Sequence, residues 1–230
     1  MPGVFPDVAF ILFGIPVRNT VVNTWIIMAI LTGLAALIGR RLPTGLEMLV
    51  DFLDDLISEI MGRRADPYLP LLGSLAIFIA SANVIGIVPF LEPPTSDVNT
   101  PVALALVVFF SVHFFGIRSM GLLPYLRSLA SPIFLLPLEI ISQISRTLSL
   151  AIRLFGNILS AEIIIAVLFA LAPLFVPLPL QGFSIFTGLL QAYIFTALAA
   201  VYIGAALAEP DETVDASDRP QVKRNEVTRQ

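Results

Sequence analysis

Five apolar stretches, residues 21–39, 70–91, 102–117, 132–172 and 176–207, approach or exceed the roughly 20 residues a helix needs to cross a hydrocarbon core. In lipid a backbone can satisfy its own N–H and C=O groups only as helices or as a closed barrel. These runs are continuous rather than alternating, which selects helices. The expected fold is an all-α polytopic membrane protein of about five spans. Composition agrees, because only 13% of the chain is charged, against about a quarter in soluble domains. Pro101 suits the first turn of the third span, where its missing N–H costs nothing. The fourth stretch would run about 60 Å as one helix, well beyond a ~30 Å hydrocarbon core. It must tilt steeply or begin as a segment near the surface. The fifth is also too long to stand upright and should tilt as well.

Basic residues set the expected orientation. Arg40, Arg41, Arg63 and Arg64 lie between the first and second spans, and Arg118 and Arg127 between the third and fourth. Arg219, Lys223, Arg224 and Arg229 follow the last span, whereas the opposite-side segments hold only Arg18. Alternation over five spans places the N-terminus outside and the C-terminus in the cytoplasm. The N-terminus lacks a basic n-region and a small-residue cleavage site, so the first span is expected to be retained. Residues 1–208 read as one transmembrane helical domain. Residues 209–230 (EPDETVDASDRPQVKRNEVTRQ) are polar, with almost nothing to bury, and read as a disordered cytoplasmic tail.

Residues 45–61 (GLEMLVDFLDDLISEIM) place Leu49, Phe52, Leu53, Leu56, Ile57 and Ile60 on one helical face, opposite Glu47, Asp51, Asp54 and Asp55. This segment is too short and too charged to span, so it is an amphipathic helix at the cytoplasmic surface. Its acidic face would be repelled by anionic lipid. Both a protein neighbour and plain solvent remain open for that face.

Several function classes are excluded. Without cysteine there are no disulfides, thiolate metal sites or Cys nucleophiles, and a single His, His113, cannot build a His metal cluster. No HExxH or Ser/His arrangement occurs, and His113 reads as an interfacial or packing residue. No cofactor and no nucleic-acid partner are expected. Paired inverted halves, usual in many secondary transporters, are not evident, which counts against a stand-alone transporter or channel, the alternative reading.

The fourth stretch carries the informative pattern. Glu139, Ser142, Gln143, Arg146, Ser149, Arg153, Asn157 and Ser160 recur in steps of mostly three and four, near one face of a helix. Arg153 has Ser149, Leu150, Gly156 and Asn157 as its one-turn neighbours, none of them acidic. A permanently charged guanidinium at membrane depth costs from ~2.5 to over 10 kcal/mol depending on the reference state. Its counter-charge must come from elsewhere. Two Arg and a Glu in one stripe favour a water-accessible path over a packing seam, which would use hydroxyls and amides. Glu162 lies nine residues beyond Arg153, about 180° around the helix, so it cannot neutralise that cation from the same face. One acid towards each surface with a fixed cation between them is the layout of two offset proton routes separated by a barrier. Gln191 on the fifth span reads by itself as an interhelical hydrogen-bonding residue.

The strings SLAIRLFGNILSAEII and LLQAYIFTALAAVYIG resemble the two signature helices of subunit a of F-type ATP synthases, and ANVIGIVPF followed by NTPVALAL is similar to that family's second and third spans. The resemblance covers roughly residues 45–208. It implies a membrane stator subunit in a bacterial inner membrane, beside a ring of c-type proteolipid subunits and held by b-type peripheral stalk subunits, with no chemistry in this chain and ATP made elsewhere. By position, Arg153 matches the family's essential arginine, and Gln191 the glutamine facing it. Asn157 and Glu162 match polar residues of the outer half-channel, and Glu139, Ser142 and Ser149 match the cytoplasmic side. Where some relatives place His or Glu seven residues before the glutamine, this chain has Ser184, so any relay at that point passes to water or is absent.

Overall fold

A computed structural model describes residues 8–12, 15–41, 43–87, 93–129, 134, 136–171 and 177–207. The tail read as disordered lies outside the described residues. The chain opens with a short antiparallel hairpin, β1 (Val8–Leu12) and β2 (Ile15–Arg18), which the apolar pattern did not foretell. Among the described residues seven α-helices follow: α1 (Asn19–Arg41), α2 (Pro43–Met61), α3 (Leu69–Val84), α4 (Asn99–Met120), α5 (Leu122–Leu129), α6 (Leu136–Leu171) and α7 (Pro177–Leu207). The architecture is all-α and polytopic, with four helices long and apolar enough to cross a membrane, α1, α4, α6 and α7. The apolar α3 is shorter, 16 residues, or about 24 Å.

The second expected span, 70–91, therefore divides. The α-helix ends at Val84 and tightens into a 3-10 turn, Ile85–Ile87. Gly86 and Pro89 are poor helix formers, and the ladder closes before them. A second 3-10 turn, Pro94–Ser96, leads into α4. Pro101 falls in the first turn of α4 as its sequence position requires. Gly62 (φ +64°) follows α2 and Gly121 (φ +89°) follows α4, left-handed conformations in which a side chain would be strained. The fourth stretch is one unbroken helix: α6 has 36 residues, about 54 Å. Its only proline, Pro137, sits in the first turn.

The core lies around α7, which packs against α3, α4, α6 and the inner end of α2. Phe195, Ala199, Ala200 and Ile203 of α7 meet Leu72 and Ile79 of α3, Val108 of α4 and Leu154 of α6, all buried. Three small residues on α7, Ala192, Ala199 and Ala200, are buried in this seam and let the helices approach closely, as suits packing where lipid supplies no hydrophobic drive between helices. Hydroxyls inside the bundle are absorbed locally: Thr147 donates to Gln143 O and Thr196 to Ala192 O within their own helices. By contrast, α1 leaves Trp25, Ile26, Met28, Leu34 and Leu37 exposed. Of the apolar face expected on α2, Leu53 and Ile57 turn inward while Leu49 and Phe52 stay exposed; Glu47, Asp51, Asp55 and Glu59 are exposed, but Asp54 Oδ1 is buried without a hydrogen-bond partner.

Candidate functional site

The polar stripe of α6 is divided among three environments. Towards its N-terminal end, Glu139, Ser142, Gln143 and Arg146 line a cavity of about 540 Å³ bounded also by α4, α5 and α7. There Gln143 Nε2 donates to Glu139 Oε1 at 3.2 Å. The Arg146 guanidinium lies 5.8 Å from the centre of the Tyr202 ring, within cation–π range. His113 faces the same cavity, with Nδ1 2.8 Å from Phe109 O. A carbonyl only accepts, so the neutral ring carries its proton on Nδ1. Its ring also packs 4.4 Å from that of Phe109, so the packing role read from sequence holds but is incomplete. Burial, and after it the negative charge of Glu139, pushes the phenol of Tyr125 on α5 up from 10.0.

Towards the other end of α6, Glu162 and Ile158 line a second cavity of about 400 Å³, with Gln181 and Ser184 of α7 and Asn83 of α3. The lining sets of the two cavities share no residue. Between Leu150 and Ile158, about 12 Å of helix, α6 contributes Leu154 to a dry core closed by Phe195 and Ala199 of α7, each fully buried.

Arg153 lies in that interval and belongs to neither cavity. Its side chain is exposed, as are those of Leu148 and Ile152 on the same helix. Among the described residues the recorded salt bridge is Arg18 to Asp97, and no carboxylate pairs with Arg153. Gln191 is buried (5% exposed) in the same α7 interval, and its Nε2 meets no acceptor. A buried amide without a partner costs about 1–3 kcal/mol. Asn157 Nδ2 donates to Thr187 O across the α6–α7 seam at 3.4 Å.

The structure thus groups Glu139 and Ser142 in one cavity, sets Glu162 in the other, and leaves Arg153 between them. Ser149 and Ser160 are exposed and line neither cavity. Sequence reasoning passed over Asn83, Gln181 and Tyr125. The available signal for Asn83 was an isolated amide near the end of an apolar helix, a residue that must find a partner. Among the described residues no group of His, Asp or Glu has the arrangement of a metal site.

Comparison with known proteins gives a consistent result. The family described as ATP synthase A chain matches residues 20–204. The chain is 51% identical over 201 residues to "ATP synthase subunit a 2" of a Bradyrhizobium species, covering 84% of this chain and 90% of the relative. It is 44% identical to "ATP synthase subunit a 1" of Prosthecochloris aestuarii, over 86% of this chain and 93% of that one. It is also 44% identical to "ATP synthase subunit a" of Albidiferax ferrireducens, over 81% and 85% of the two chains.

Proposed function

This chain belongs to the ATP synthase A chain family, and from that membership we propose that it is the membrane stator channel of an F-type ATP synthase, working against a ring of c-type proteolipid subunits. As an a subunit it is a non-catalytic, integral membrane component of that complex. The observation that carries the finer reading is the pair of cavities at opposite ends of α6 and α7, closed from each other by the Leu154–Phe195 core, with Arg153 at that level.

In this reading the Glu162 cavity admits protons from outside and the Glu139 cavity releases them to the cytoplasm. A ring carboxylate arrives protonated from lipid, gives its proton to one route, and passes Arg153 ionised. It then takes a proton from the other route before it re-enters lipid, where a bare charge is prohibitively costly. Arg153 supplies the counter-charge and, being permanently protonated, stops protons from running directly between the cavities. Transit draws on about 2.3 kcal/mol per charge per 100 mV. The peripheral stalk partner is a b-type subunit. No bond is made or broken in this chain.

The test is ATP-driven proton pumping by the assembled complex in vesicles. Arg153→Ala should reduce pumping to background while leaving the assembled complex intact. Pumping near the wild-type rate would refute the assignment.

A further inference from the structure

The bundle holds the α7 backbone by two side-chain amides from two different helices. Asn83, one residue from the end of α3 and buried, donates from Nδ2 to Gly188 O at 2.8 Å. Asn157 of α6 donates to the preceding carbonyl, Thr187 O. Inside an α-helix these two carbonyls already accept from the N–H groups of Gln191 and Ala192, and each oxygen has a second lone pair to offer. The identity of the atoms at Asn83 is forced: Gly188 O can only accept, so the amide nitrogen faces it. The amide oxygen is left to the Thr95 hydroxyl, which donates at 2.9 Å. The chain Thr95–Asn83–Gly188 therefore ties the second 3-10 turn, α3 and α7 together. Gly188 is what permits it, since a Cβ there would fall 2.9 Å from Asn83 Cβ.

Apolar contacts hold helices together without fixing their rotation or depth closely, because they are non-directional. Hydrogen bonds to chosen carbonyls are directional. Residues 188 and 191 lie one turn apart on neighbouring strips of the same helix face, so whatever fixes Gly188 fixes Gln191. We infer that Asn83 is a positioning residue: through Gly188 it sets the height and rotation at which α7 holds Gln191 at the level of Arg153. This inference rests on the proton-channel reading and adds to it a residue on α3, a helix that contributes neither the arginine nor the glutamine.

The experiment is a double-mutant cycle on ATP-driven pumping by the purified, intact complex, normalised to assembled complex. Asn83→Leu removes the donor at similar volume, and Gly188→Ala breaks the same approach from the other side. Each should cut pumping about three- to tenfold, the range expected for one lost hydrogen bond. In a Gln191→Leu background neither should cut it further. Asn83→Ser, which keeps a hydroxyl donor, should recover part of the loss seen with Asn83→Leu. Equal losses in both backgrounds, wild-type pumping by Asn83→Leu, or failure of both Leu and Ser variants to assemble would overturn the inference. Arg153→Ala is measured alongside. If it still pumps, the channel reading falls, whereas a dead Arg153→Ala with additive losses at Asn83 removes only the positioning role.

Discussion

A guanidinium has no neutral form within reach of a membrane protein, so at membrane depth Arg153 must be partnered or wet. Among the described residues it has neither an ion pair nor burial. If a ring carboxylate is the partner, the planar fork with several donors matters as well as the charge. Arg153→Lys should then also lose ATP-driven pumping, to a few per cent of wild type or less. An active Lys variant would leave charge alone as the requirement. Glu162 tests the outer route: Glu162→Gln should slow proton uptake by about a hundredfold, the low end of what a positioned acid–base group contributes, with the complex still assembled. Loss of the complex would make Glu162 structural. These residues were legible because charge in an apolar helix is expensive and the three-to-four spacing fixes its face. Asn83 was not, because its partner is a backbone carbonyl 105 residues away and one amide carries no period. The inward turn of the Gln191 amide was equally hidden, since sequence gives the helix face and not the packing against it.

At the scale of elements, Pro101 marked the first turn of α4, whereas Gly62 and Gly121, the left-handed residues after α2 and α4, were not read as stops. The eight-residue α5 was too short to show a period. The shortness of α3 was masked by the apolar residues that continue beyond its last turn. The hairpin and α1 are held to the loop before α4 by Asp97, which is buried and accepts from Arg18 Nη1 at 3.2 Å, Thr20 Oγ1 at 3.0 Å and Asn99 N at 3.1 Å. Burial alone would raise the Asp97 carboxyl, but the Asn99 N–H, the Arg18 guanidinium and the Thr20 hydroxyl outweigh it and hold it below 3.8. A carboxylate depressed in the folded state contributes stability that is complete above its unfolded value and is lost as pH falls through the folded one. Asp97→Asn should therefore lower the thermal midpoint of the detergent-solubilised chain at pH 6. The gap to wild type should narrow steadily below pH 4. A gap independent of pH would show that the carboxylate's charge is not what holds the α1 end.

For the whole molecule, the same contacts that build the fold also sort its two ends. Arg18 and Asp97 meet at one end, together with the Glu162 cavity and its Pro93 lining. At the other end Met61 of α2 approaches Gly204, and α5, flanked by Arg118 and carrying Arg127, closes the Glu139 cavity. Arg63 and Arg64 after α2, Arg118 before α5 and Arg127 in it thus share the end that holds the Glu139 cavity, and the tendency of basic loops to stay in the cytoplasm gives the orientation to be tested. In the proposed mechanism orientation decides function, because it fixes which cavity would take protons and which would release them. The absence of cysteine makes the question directly measurable with single-cysteine variants. Asp66 and Val98 are exposed and lie at opposite ends, and replacing an acid disturbs the basic-loop signal little. In inverted membrane vesicles a membrane-impermeant maleimide should label Asp66→Cys and spare Val98→Cys, with the pattern reversed in right-side-out vesicles. The opposite result would place the Glu139 cavity outside and exchange the two proposed routes. Equal labelling of both sites in sealed vesicles would mean that α3 does not carry the chain across the bilayer, which its length of 16 residues allows only if the 3-10 turn or local thinning of the lipid makes up the difference.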